Sequence, residues 1–210
     1  SINGATVDFA GLNFVPGRNR TISAAFAAQL VPALGATEAV GVFSDQGVTE
    51  VRAVADEAGI GIVQLHGAEP PQTCADLAVD FRVFKALDLQ TSRDSELIAA
   101  YARCVDVFVI DGREPGSGHT WAFAQLALQS GCLAGVPVLL AGGLNPENVA
   151  EGIAKAAPWG VDCASGIERV DPATGKRIVD PTKIAAFTTA ARQAGATNNM
   201  PDAGQGWVRR

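Results

Sequence analysis

Val136-Pro137-Val138-Leu139-Leu140-Ala141-Gly142-Gly143-Leu144-Asn145-Pro146-Glu147-Asn148-Val149 is the stretch on which the fold turns. A short apolar run leads into two adjacent glycines, and an Asn-Pro pair then opens a segment of helical periodicity. A capping Asn followed by a proline at the first helical position is a helix-start signature. Strand, glycine turn and helix in that order make one β/α unit. The same order returns at Gly160-Val161-Asp162-Cys163-Ala164-Ser165-Gly166, ahead of a second capped start at Asp180-Pro181.

Outward from these units, apolar runs alternate with amphipathic stretches along the chain. Strands are expected at 7–14, 39–43, 61–65, 81–86, 105–110, 136–140 and 160–163. Helices are expected at 24–34, 48–58, 70–79, 94–102, 121–130, 146–156 and 181–194. Apolar strands alternating with helices imply parallel pairing, with each strand covered on both faces. Periodicity alone does not separate a closed barrel from an open, doubly wound sheet. The glycines do: no G-x-G-x-x-G fingerprint opens a helix after the first strand. The glycine-rich turns instead follow the last two strands, where (β/α)8 barrels bind phosphate.

The expected fold is therefore an α/β (β/α)8 TIM barrel. Only seven strands can be counted against the eight that closure needs, and the segment 195–210 contains no strand run. The expected organisation is a single barrel domain over 1–194 lacking its first strand, followed by a tail with no derivable role.

Of the 210 residues, 48% are hydrophobic and only 6% aromatic, as in ordinary α/β enzymes and unlike disordered chains. A net charge of −6 disfavours general attraction to nucleic acid or anionic membrane. Local geometry can still reverse that sign for a small anionic substrate. The four cysteines are widely spaced and only two histidines are present, so a zinc site is not expected. Spaced thiols fit a reducing compartment, and no apolar run approaches membrane-spanning length. The expected location is the cytoplasm.

Barrel chemistry sits at the C-terminal ends of the strands. After the first expected strand comes Pro16-Gly17-Arg18-Asn19-Arg20, where two arginines could bind a carboxylate through guanidinium forks. A solvated turn uses the same residues. His66 follows Val63-Gln64-Leu65, placed either to polarise a ligand or simply to cap and pack. Asp111 follows Val107-Phe108-Val109-Ile110 at the rim of a low-dielectric interior. Desolvation there favours the protonated form that a general acid needs, although a turn Asp bonding its own backbone is equally ordinary. Gly116-Ser117-Gly118 is a phosphate-sized loop. Gly142, Gly143, Ala164 and Ser165 can offer backbone N–H groups from two adjacent loops, an anion nest that needs no lysine.

Taken in order, these segments resemble phosphoribosylanthranilate isomerases from about Gly4 to Ala194. The resemblance is carried by Val7-Asp8-Phe9-Ala10-Gly11-Leu12-Asn13-Phe14-Val15-Pro16, Arg20-Thr21-Ile22-Ser23, Val40-Gly41-Val42-Phe43 and Val63-Gln64-Leu65-His66-Gly67-Ala68-Glu69. Ile110-Asp111 with Gly116-Ser117-Gly118, and the two glycine-turn segments through Glu168, complete it. It implies the Amadori rearrangement of N-(5-phosphoribosyl)anthranilate in tryptophan biosynthesis. It assigns Asp111 as general acid and Arg20 as partner of the anthranilate carboxylate. Gly142, Gly143, Ala164 and Ser165 become the phosphate cradle, with His66 near the substrate. It implies no metal or organic cofactor, a small phosphorylated substrate as the only partner, and a monomer or homodimer.

The sequence departs from the family pattern in four places. A Lys-x-Cys-Gly strand that carries the family's cysteine base is expected upstream of Ser1-Ile2-Asn3-Gly4. A family serine is replaced by Ala164, the segment 170–179 lengthens a loop, and the usual Phe-Asp-Trp reads Trp121-Ala122-Phe123. Cys163 is expected to be a packing thiol rather than a substitute base, because it stands where the family has an apolar residue. The competing readings are a histidine-pathway or bifunctional sugar-phosphate isomerase, and a barrel that binds a phosphorylated ligand without catalysis. The single phosphate cradle disfavours the first.

Overall fold

The computed structural model describes residues 7–88, 91–111 and 132–197. The Gly116-Ser117-Gly118 loop, His119, the expected helix at 121–130 and the tail beyond 197 lie outside the described residues. The chain forms two compact units.

The first unit, Val7–Phe108 with Ala134–Val136, is a run of parallel β/α repeats. Its elements are β1 (Phe9–Asn13), α1 (Ala24–Leu30), β2 (Glu38–Phe43), α2 (Val48–Ala58), β3 (Ile62–Leu65), α3 (Pro71–Leu77), β4 (Arg82–Asp88) and α4 (Ser95–Tyr101). β1 pairs with β2, β2 with β3 and β3 with β4, all parallel, so their C-terminal ends share one edge of the sheet. The register runs Asn13↔Val42 and Phe43↔Leu65. All four residues of β3 are buried, as a strand covered on both faces requires.

Two helices of this unit start on side-chain caps. Ser23 accepts from the Phe26 N–H at the start of α1, and Asp94 accepts from the Glu96 and Leu97 N–H groups at the start of α4. α2 buries Val51, Ala55 and Ala58 along one stripe and stops at Gly59, whose φ of +70° suits a left-handed cap. The helix expected over 24–34 is instead α1 followed by a 3-10 turn, Val31–Leu34. Pro32 is the reason, since it has no N–H for the ladder and its ring crowds the preceding turn.

After α4 the chain continues through β5 (Val107–Asp111), β6 (Cys132–Leu133), β7 (Val136–Ala141), α5 (Val149–Ala156), β8 (Gly160–Val161), β9 (Glu168–Val170), β10 (Arg177–Val179) and α6 (Pro181–Thr197). In the second unit β7 and β8 are parallel, with Leu139 opposite Gly160. The core there is Leu140, Leu144, Val149, Ile153, Ala156 and Phe187, with Val161, Cys163, Ile167 and Ala190 packed against it.

Three expectations are corrected here. α5 begins at Val149 rather than Pro146, because 146–148 form a turn in which Asn145 Oδ1 accepts the Glu147 and Asn148 N–H groups, each at 3.0 Å. The expected strand at 160–163 ends at Val161, which frees Cys163 and Ala164 for the loop. The lengthened loop is an antiparallel hairpin, β9–β10, with Val170 opposite Arg177. Its turn is built by Asp171, which accepts from the Ala173 N–H at 3.1 Å and the Thr174 hydroxyl at 2.7 Å. Those two donors, the hydroxyl first, hold the Asp171 carboxyl below its usual range.

Candidate active site

In the second unit, the loops after β7 and β8 are built against each other. Gly142 and Gly143 take φ of +85° and +68°, the left-handed region that side chains rarely enter. The Asn148 side-chain amide donates to the Gly143 carbonyl at 3.1 Å, and the Asn145 N–H donates to Asn148 Oδ1 at 2.8 Å. The loop is thus fixed by its own asparagines. A Cβ on Gly166 would stand 1.9 Å from the Leu144 carbonyl oxygen, so only glycine permits this approach of the two loops. The Cys163 thiol donates to the same carbonyl at 3.0 Å.

Gly142 and Gly143 are half-buried, whereas Ala164 and Ser165 are exposed, Ser165 opening the 3-10 turn Ser165–Ile167. No backbone bond among the described residues uses the N–H groups of these four as donors. Two glycine turns expected to line one cradle are therefore in backbone contact through Leu144 and Gly166.

Asp111 ends β5 after four fully buried residues and is itself half-buried. The strand supplies the apolar wall that the sequence implies.

Cys163 is half-buried and packs against the helix-covered cluster. Burial, chiefly, pushes its thiol up to about 11. Cys74 is pushed up to about 12 and Cys104 is also raised, again by burial first. These three are thiols at neutral pH and poor proton acceptors. Cys163→Ala is expected to retain activity within about twofold and to lose roughly 1 kcal/mol of stability from the vacated volume and hydrogen bond. Steady-state kinetics and a denaturant melt check both; loss of turnover would make Cys163 a participant.

In the first unit, Arg20 and His66 lie beyond the shared C-terminal edge of β1, β2 and β3. The turn carrying Arg18 and Arg20 is closed by Thr21, whose hydroxyl and N–H both donate to the Arg18 carbonyl, at 2.8 and 3.1 Å. Asn13 Oδ1 accepts the Val15 N–H at 2.8 Å, and the Asn13 carbonyl accepts from Ile22 at 2.9 Å. Both arginines are exposed at the residue level. His66 is exposed as well, its N–H donating to the Phe43 carbonyl at 2.8 Å and its Nδ1 standing 3.2 Å from Gln64 Oε1.

Beneath His66 lies a polar group that sequence reasoning did not single out. Lys85 and Glu69, 1% and 4% exposed, form an ion pair at 2.9 Å. The signal was available: a lysine in the middle of the apolar run Arg82-Val83-Phe84-Lys85-Ala86-Leu87 must find a buried partner.

Among the described residues no cluster of acidic, His and Cys side chains could hold a metal ion. No described helix is long and apolar enough to cross a membrane.

The model of the N-(5'-phosphoribosyl)anthranilate isomerase family matches residues 2–190. The curated isomerase of that name from Myxococcus xanthus is 38% identical over 194 residues, covering 90% of this chain and 87% of its own. The crystal structure of phosphoribosyl anthranilate isomerase from Thermus thermophilus superposes with a TM-score of 0.75 at 30% identity, covering 91% of each chain. A further isomerase structure, in complex with reduced 1-(o-carboxyphenylamino)-1-deoxyribulose 5-phosphate, gives a TM-score of 0.73 at 29% identity over 90% of this chain and 89% of that one. The α/β barrel class expected from the sequence is the fold of these neighbours. The chain belongs to the N-(5'-phosphoribosyl)anthranilate isomerase family.

Proposed function

We propose that this chain converts N-(5-phosphoribosyl)anthranilate to 1-(2-carboxyphenylamino)-1-deoxyribulose 5-phosphate, an aldose–ketose isomerisation in tryptophan biosynthesis. The observation that carries the reading is the pair of interlocked glycine loops, Gly142-Gly143 against Ala164-Ser165-Gly166, in a chain matched to this family over residues 2–190. Backbone N–H groups there cradle the phosphate, aided by the Ser165 hydroxyl.

Asp111 acts as general acid, giving a proton to the ribose ring oxygen as the C1′–O bond breaks. The anthranilate nitrogen supplies the electron pair that forms the C1′=N bond, leaving a protonated Schiff base. A base then takes the C2′ proton, and the C–H electrons become the C1′=C2′ double bond of an enolamine. Ketonisation at C2′ gives the product. Each step is a proton transfer with a bond shift, so acid and base suffice. The base is expected from the family pattern to be the cysteine of a Lys-x-Cys-Gly strand.

Arg20 pairs with the anthranilate carboxylate, and His66 lies near the substrate. These groups all come from one chain, so a monomer or a homodimer serves equally, and the cytoplasm is the proposed location.

Steady-state turnover of the phosphoribosyl substrate tests the assignment directly; absence of turnover overturns it. Arg20→Ala is expected to weaken binding of a carboxylated product analogue by roughly 1.5–3 kcal/mol, the scale of a charge-assisted hydrogen bond. Arg18→Ala should do much less. Equal effects, measured by titration calorimetry, would place the carboxylate on the other side of the turn.

A further inference from the structure

The peptide groups on both sides of His66 are gripped by one buried ion pair. The Lys85 ammonium donates to the Leu65 carbonyl at 3.1 Å, to the Gly67 carbonyl at 2.7 Å and to Glu69 Oε2 at 2.9 Å. Those three bonds use every N–H the ammonium has. Glu69 completes the clamp: its Oε2 accepts the Gly67 N–H at 3.0 Å, and its Oε1 accepts the Asp45 N–H at 2.8 Å. The Tyr101 hydroxyl holds the Glu69 carbonyl at 2.8 Å.

A second strut comes from the loop after β2. Asp45 Oδ1 accepts the Ala68 N–H at 2.7 Å, and the Asp45 carboxylate lies where a Cβ on Gly67 would stand, 2.4 Å from Oδ1. Asp45 itself takes a φ of +59°, which Asp and Asn tolerate better than most residues. The N–H of His66 is fixed by the Phe43 carbonyl, so the turn is held from β2 as well, while the residue itself stays exposed.

A buried ion pair is a weak source of net stability, because desolvating two charges offsets their attraction. Here its bonds converge on the turn that carries an exposed imidazole. We infer that Lys85 and Glu69, with Asp45 as an outer strut, are positioning residues that set the place of the His66 imidazole against the substrate. The inference rests on the reading of His66 as a substrate contact.

The test is a coupling cycle. Lys85→Met with Glu69→Gln removes both charges, leaves no uncompensated buried charge, and keeps an amide oxygen to accept from Asp45 and Gly67. This pair of changes is expected to raise KM about tenfold, the order of loss for a displaced substrate contact. In that background His66→Ala is expected to add little, whereas in the native background it raises KM on its own. Asp45→Ala leaves the buried pair intact and covers the case in which the paired variant does not fold. It should raise KM severalfold, with Asp45→Asn, which keeps the acceptor, restoring it. Native KM in the paired variant or in Asp45→Ala, or His66→Ala effects that add fully in both backgrounds, overturn the positioning role alone. A silent His66→Ala in the native background overturns the reading of His66, and this role with it.

Discussion

Asp111→Asn is expected to lower kcat by at least about a hundredfold, the lower end of what a positioned general acid contributes. The substitution is nearly isosteric, and the four residues before it are buried in β5 whether or not the carboxyl is present. The fold should therefore persist, with an unchanged far-UV spectrum and a thermal midpoint close to the native one. An amide cannot hand a proton to the ribose ring oxygen at neutral pH, so the C1′–O bond must break without assistance. KM should move far less than kcat, because the proposal gives the carboxylate and phosphate ends of the substrate to other groups. Near-native kcat in Asp111→Asn would remove this residue from the mechanism and leave ring opening without an assigned acid.

Gly143→Asp is the second large effect. At φ +68° any side chain is strained, by about 1 kcal/mol for an ordinary residue, and aspartate adds a negative charge to the proposed anion nest. Loss of competitive inhibition by inorganic phosphate and a rise in substrate KM of a hundredfold or more are the expected results, the charge being aimed at a dianion in a partly buried loop. Gly143→Ala separates the causes. It carries the backbone strain without the charge and should cost about tenfold or less in KM. If phosphate competes normally against the Asp variant, the anion binds elsewhere and the cradle assigned to Gly142, Gly143, Ala164 and Ser165 is wrong.

The glycine pairs illustrate how much of a site is written locally. Gly142-Gly143 could be read as a turn because adjacent glycines after an apolar run signal left-handed backbone, and both residues adopt it. The hairpin at β9–β10 was equally legible in principle. Asp171-Pro172-Ala173-Thr174-Gly175 is a turn sequence flanked by Arg169-Val170 and Arg177-Ile178-Val179, yet β-branched residues on so short a stretch read as a lengthened loop. Helix starts were misplaced where a side chain could serve either a turn or a cap, as Asn145 does. Arg20 and His66 could be named as strand-end residues, but the bonds that fix the His66 turn come from β2 and β4 and do not repeat with any period.

What the sequence alone determined is the alternation of apolar strands with amphipathic helices, and hence the parallel β/α class and the strand ends on which chemistry falls. Those features follow from contacts between near neighbours and from the period with which apolar side chains recur. Tertiary structure alone decided the rest. Gly166 is required because the Leu144 carbonyl approaches it from another loop. Cys163 is a packing thiol because the helices over the second unit cover it. Lys85 can be buried because Glu69 and the carbonyls on either side of His66, 16 to 20 residues away along the chain, converge on its ammonium. A buried charge is tolerated only where several partners meet at once, and such a meeting is a property of the folded chain rather than of any stretch within it.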